Sequence, residues 1–167
     1  YDLADALQKL RAHQFQPMQN EATRGYFEER ARQEGDSELG QEIRRWLVNP
    51  NDIAAANAVE SSPVDVGLTR TRCVATMLNA GHADNALPQS ATATVNCRIF
   101  PGVQPREIQA ELQSLVGPKI DVQPDPQFIG VPTPASPLRN DVLSAVTKAV
   151  QRFHGRDMHV FPVMSTG

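Results

Sequence analysis

The sequence is short of the residues that announce chemistry on their own. Its 167 residues hold two cysteines, four histidines, one tryptophan and three lysines. Cys73 and Cys97 stand apart, and no CxxC, HExxH or HxH spacing occurs. That argues against a self-contained structural zinc site, and no local signature marks a nucleophilic Cys–His pair. If the two cysteines face one another they can join in a disulfide. Reduced core thiols are the expectation unless the protein is exported. No apolar run approaches the roughly 20 residues of a membrane-spanning helix, and no apolar leader-like stretch follows Tyr1. The compartment, cytoplasmic or exported, stays open. Positive charge is also scarce. Sixteen Lys plus Arg against nineteen Asp plus Glu leave −3, whereas a nucleic-acid binder carries a basic face. Neither a nucleic acid nor a membrane is therefore an expected partner.

The cations that are present are mostly Arg, thirteen of the sixteen. Arg favours fixed carboxylate partners, and dispersed along the chain most of these read as surface ion pairs. The length suits one core, or one domain with a piece of another. The chain lacks a starting Met and stops on Ser165-Thr166-Gly167, so it is expected to be cut at both ends.

Periodicity divides the chain. Residues 1–13 place Leu3, Ala6, Leu7 and Leu10 on one helical face,. Residues 20–35, 37–48 and 51–61 read as three further helices. Ser37 can cap the second, Trp46 sits on its apolar side as a core residue, and Pro50 and Pro63 bracket the third,. The period then changes. Residues 69–79 are rich in strand formers. Residues 91–99 alternate, with Ala91, Ala93, Val95, Cys97 and Ile99 on one face,. If these strands pair symmetrically about Asn85, Cys73 and Cys97 lie close together. Residues 105–116 form a helix stopped by Gly117-Pro118, and 119–123 a short strand,.

Five prolines in residues 124–137 mark a linker,. Beyond it the pattern predicts a helix carrying Val142, Val146 and Phe153, then a buried strand over 158–164,. The expected class is α+β. It is a βαββαβ ferredoxin-like two-layer sandwich, with helices on one face of an antiparallel sheet and its first strand lying before Tyr1. To it is added a helix–strand fragment of an α/β domain. In these terms residues 1–124 are one domain with a helical insertion at about 20–62, 125–137 a linker, and 138–167 the fragment.

Four places can carry chemistry. The connection over residues 80–90, AGHADNALPQS, is longer than the two to five residues a hairpin needs,. His82 in it can act as general base, ligand or oxyanion donor, or be an ordinary exposed loop histidine. Asn85 can bind a carboxylate or oxyanion through its amide NH₂, or be a turn residue at positive φ; Asp84 reads as a turn former. Arg98, on the polar face of the second strand, can grip a carboxylate in bidentate fashion, or serve as a cross-strand ion pair or edge charge. Gly167, in a small polar turn after the last strand, can offer backbone N–H to an anion, or simply turn the chain.

Residues 79–102, NAGHADNALPQSATATVNCRIFPG, resemble a family signature. It combines a strand, Gly81-x-x-x-Asn85-x-x-Pro88, an alternating strand ending in Arg98, then Pro101-Gly102 and a helix. This is similar to the lid, or dimerisation domain, of the two-zinc aminoacylase and carboxypeptidase G family of metallopeptidases, which includes succinyl-diaminopimelate desuccinylase. Met164–Gly167 resembles the start of that family's Met-Ser-x-Gly-x-x-Asp turn. The resemblance implies that Asn85 reaches into an active site, often the partner subunit's, and that Arg98 binds a substrate's terminal carboxylate. It implies that Gly167 lines the substrate pocket. His82 does not match the family's catalytic histidine, which falls before Tyr1. It further implies two zinc ions in the intact parent, with none held by this chain alone. The substrate would be a peptide or N-acyl amino acid. A homodimer would form through the edge strand over residues 69–79 and the adjacent helix. The alternative is a stand-alone dimeric βαββαβ ligand-binding or regulatory module without catalysis.

Overall fold

A computed structural model of the chain describes residues 1–127 and 133–164. Among them are six helices and one two-stranded antiparallel sheet, an α+β fold. The helices are α1 (Asp2–Ala12), α2 (Glu21–Glu34), α3 (Glu38–Val48), α4 (Ile53–Glu60), α5 (Pro105–Val116) and α6 (Asn140–His154). The strands are β1 (Arg72–Ala80) and β2 (Ala91–Arg98). The chain forms two compact units. The first takes residues Tyr1–Phe15 and the described part of Thr71–Thr133. The second takes Gln16–Arg70 and the described residues from Pro134.

In the first unit α1 packs on α5 and on the sheet. Asp2 and Asp5 lie in its first turn and Lys9 and Arg11 in its last, matching the helix dipole at both ends,. Phe15, Ile108 and Leu112 form the buried centre, joined by Leu10, Cys73, Cys97, Ile99, Val103, Leu115 and Val122. Pro105 opens α5 where its missing N–H costs nothing, and Gly117 closes it at φ 87°, a conformation side chains avoid,.

Residues 119–123 form no strand, contrary to expectation. The backbone of this segment is taken up by two glutamines of α5. Gln109 Nε2 donates to the Val122 carbonyl at 2.9 Å and Gln113 Nε2 to that of Ile120 at 2.8 Å, while Gln113 Oε1 accepts from Val122 N–H at 3.0 Å. The segment joins neither β1 nor β2 in a ladder, and side-chain amides supply the pairing that a ladder would have supplied,.

The second unit is held by α2, α3 and α4 around Tyr26, Phe27, Ala31, Ile43, Trp46, Ala55, Ala56 and Val59. Phe27 and Trp46 meet edge to face at 5.1 Å, the arrangement ring quadrupoles favour. Each helix has a side-chain cap: Asn20 accepts from Thr23 N–H, Ser37 from Gly40 N–H and Asp52 from Ala55 N–H,. Gly40 is required for packing, because a Cβ there would stand 2.5 Å from the Gly35 carbonyl oxygen.

Two ion pairs lie under the helices. Asp65, fully buried, accepts from the Tyr26 hydroxyl at 2.8 Å and from Arg30 Nη2 at 3.2 Å. Arg70 lies 3.3 Å from Glu60 and donates to Asn57 Oδ1 at 2.9 Å, while Thr69 donates to Glu60.

The apolar stripe of α6 has no buried residue, and Val142, Val146 and Phe153 stay exposed. The strand expected over 158–164 is also absent. Pro162 cannot donate to a ladder. The segment is instead pinned by side chains. Phe161 meets Tyr26 at 5.6 Å between ring centres, and the Met164 sulfur accepts from Asn20 Nδ2 at 3.2 Å.

Candidate functional site

The β1–β2 hairpin carries three of the four sequence-singled residues. Alternation in residues 91–99 is realised as read: Ala93, Val95 and Cys97 are half-buried while Thr92, Thr94, Asn96 and Arg98 are exposed. The register runs Arg72↔Arg98, Cys73↔Cys97, Val74↔Asn96 and Ala75↔Val95, then resumes at Met77↔Thr94 and ends at Ala80↔Ala91. Thr76 is the extra residue of a bulge, and its hydroxyl donates to the Thr94 carbonyl at 3.3 Å,.

Cys73 and Cys97 face each other as symmetry about Asn85 predicts. They are joined in a disulfide with Cα atoms 4.0 Å apart. The expectation of reduced core thiols is thereby corrected. Position decides it: two cysteines directly opposite in one ladder bring their sulfurs together without further folding.

The connection over residues 81–90 is fully exposed. Gly81 starts it at φ 80°. Ala86 N–H donates to the Ala83 carbonyl at 3.5 Å, which sets Asp84 and Asn85 at the corner of a turn, as expected of Asp84. No residue other than glycine has positive φ among the described residues, so Asn85 is not there to relieve strain. Its amide makes no hydrogen bond among the described residues, and neither does the His82 ring.

Arg98 likewise has no ion-pair or hydrogen-bond partner among the described residues, which removes the cross-strand ion-pair reading. Its register partner is Arg72. The register thus sets two guanidinium-bearing residues opposite one another on the exposed face of the sheet. Arg72 escaped the sequence reading, although the symmetry that pairs the cysteines also pairs residues 72 and 98.

The hairpin does not bring Asn85 and Arg98 together. β2 rises about 3.3 Å per residue, so its two ends lie about 23 Å apart, with Asn85 beyond one end and Arg98 at the other. Gly167 lies outside the described residues. Among the described residues no three His, Cys, Asp or Glu side chains stand where they could hold a metal, so zinc finds no fitting donor set here. No helix among them is long and apolar enough to cross a membrane.

These features coincide with a known family. The family model described as "peptidase dimerisation domain" matches residues 1–121, and the chain belongs to that family. The chain is also similar to the N-fatty-acyl-amino acid synthase/hydrolase PM20D1 of Mus musculus. The two are 38% identical over 63 residues, a stretch that is 38% of this chain and 12% of that protein. The chain thus matches a small part of that relative's length. No solved structure matches it.

Proposed function

We propose that this chain is the dimerisation and substrate-recognition lid of a zinc-dependent metallopeptidase or amidohydrolase. The parent would cleave the amide bond of a peptide or an N-acyl amino acid. Residues 1–124 form the lid, 125–137 a linker, and 138–167 a piece of the catalytic domain. The exposed stripe of α6, with Val142, Val146 and Phe153, supports the last assignment, because a helix of that pattern needs a second apolar layer,. Zinc enters as a cofactor of the parent, with ligands supplied from elsewhere in it. The chain by itself hydrolyses nothing.

One observation carries this reading: the hairpin presents two polar groups with no partner among the described residues, Asn85 at the tip and Arg98 at the base. A span of about 23 Å is more than one amino-acid derivative bridges. The two groups therefore serve different active sites, with the tip reaching the site of a second copy and Arg98 holding a carboxylate at the base. Gly167 lines the pocket at the start of the catalytic-domain turn, and His82 is a minor contact at the tip. A homodimer forms through the open edge of β1, which pairs on one side only among the described residues. The outward N–H and C=O groups of that edge suit strand addition by another copy.

Light scattering across a range of concentrations tests the dimer. The expected mass is that of two chains, with the outward amides of β1 protected from hydrogen exchange only in the dimer. A monomer at every concentration overturns the reading.

A further inference from the structure

The hairpin ladder is built in two registers. The outer half, from Met77↔Thr94 to Ala80↔Ala91, is displaced by one residue relative to the inner half, from Arg72↔Arg98 to Ala75↔Val95. Thr76 absorbs the difference. The inner half contains the disulfide, so a covalent bond fixes one register while the rest of the ladder follows the other.

Carried through to the base, the outer register needs no bulge. It would set Thr76 opposite Val95, Val74 opposite Cys97, Cys73 opposite Arg98 and Arg72 opposite Ile99. A one-residue slip moves side chains to the other face. Val74, now 62% exposed, would join the half-buried face of Val95 and Cys97. Arg72 would enter that face as well, at a cost. A bulge removed and a valine covered thus stand against an arginine turned inward and against Cys73 and Ala75 turned out of the half-buried face. The disulfide at Cys73 and Cys97 holds the inner register against that alternative.

We propose that Cys73–Cys97 is a redox-controlled register lock. Oxidised, it holds Arg72 opposite Arg98 and the two guanidinium groups on one face. Reduced, it lets the outer register run to the base and separates them. Both cysteines are only partly buried. The reductant is a dithiol. Its thiolate attacks one Sγ, the Cys73–Cys97 bond breaks, and the other Sγ leaves as a thiolate that takes a proton. The second thiol of the reductant then displaces the first sulfur, so that the reductant becomes a disulfide and the two electrons remain on the cysteines. The loss of an anion grip at the base rests on the reading of Arg98 given above; the register change does not.

Cross-strand NOEs on the full chain, before and after treatment with dithiothreitol, test the lock. The oxidised protein is expected to show Val74 beside Asn96. The reduced protein should lose that contact and show Val74 beside Cys97. The Cys73→Ala, Cys97→Val double variant should match the reduced protein. Deleting Thr76 puts both halves in one register, so reduction of that variant should leave the pairing unchanged. Four results overturn the proposal: no disulfide in protein purified without reductant; Val74 still beside Asn96 after reduction; loss of the hairpin in both the reduced protein and the double variant; or a register change in the Thr76 deletion.

Discussion

The two units solve the problem of cohesion differently. The helical unit buries eight mutually packed side chains from α2, α3 and α4, three of them aromatic, with its charges paired below them. The hairpin of the other unit is anchored at its base alone, where Cys73, Cys97 and Ile99 join the core of Phe15, Ile108 and Leu112. Beyond Ala75 every residue of β1 is exposed. One unit is packed throughout; the other has a smaller core of α1, α5 and the hairpin base, from which the rest of the hairpin extends beyond a staple. An arm of that kind leaves its outer groups available to something else, and a packed core does not.

The largest effect should come from breaking the packed unit. Phe27 is fully buried against Trp46, and Phe27→Ala should cost about 3–5 kcal/mol. Trp46 is the single tryptophan of the chain, so its fluorescence during urea unfolding reports this unit alone. A cost under about 1 kcal/mol would mean that the cluster can collapse around the void and is not close-packed.

The staple comes next. Cys73 and Cys97 are 24 positions apart, and closing a loop of that size in the unfolded chain is worth about 3.5 kcal/mol in the loop-entropy account. Hydrogen exchange of the β1 and β2 amides should therefore accelerate by about two and a half decades in the Cys73→Ala, Cys97→Val variant, while Trp46 fluorescence keeps its unfolding midpoint. Unchanged exchange would show that the core at the hairpin base suffices without the bond.

Much of this contrast was legible in the sequence. Helical periodicity and capping residues such as Ser37 located the packed unit, because local signals decide local elements. The alternation of residues 91–99 and the symmetry about Asn85 gave the hairpin and the cysteine pairing. What failed depended on distant partners. Residues 119–123 and 158–164 have strand-like sequences, yet a strand exists only beside another strand, and these segments are bound instead by the side chains of Gln109, Gln113 and Tyr26. The buried pairing of Asp65 with Tyr26 and Arg30 was equally unreadable, since the residues are far apart in the chain and individually unremarkable. The site was legible as single residues, Asn85 and Arg98, and its extent only once the strands were placed.

A smaller effect distinguishes the units by pH. Burial first, and the Asp65 carboxylate second, push the Tyr26 phenol from 10.0 up to about 12. The folded protein therefore holds this proton more tightly than the unfolded chain. Its contribution is whole below pH 10 and is lost as the pH climbs through about 12,. The urea midpoint read by Trp46 should fall over that window, and Tyr26→Phe should flatten the fall. A slope that persists in Tyr26→Phe would assign it to another group.

The smallest effect on stability should come from the tip and base of the arm, and that smallness is what makes them informative. Asn85 and Arg98 are exposed and bound to nothing among the described residues, so Asn85→Ala and Arg98→Ala should each change stability by no more than about 0.5 kcal/mol. A side chain that contributes nothing to its own fold is free to act elsewhere. In the parent enzyme, loss of a positioned donor at a reacting carbonyl typically costs about 100-fold in turnover, and Asn85→Ala should show a loss of that order. Arg98→Ala should act mainly by raising KM for a substrate with a free carboxylate. Because tip and base lie too far apart for one small ligand, mixing the two variants should restore activity. In a mixed dimer one site receives an intact Asn85 from one copy and an intact Arg98 from the other. Mixed protein no more active than either variant alone would place both residues at a single site, and the arm would then have to fold back on itself to reach it.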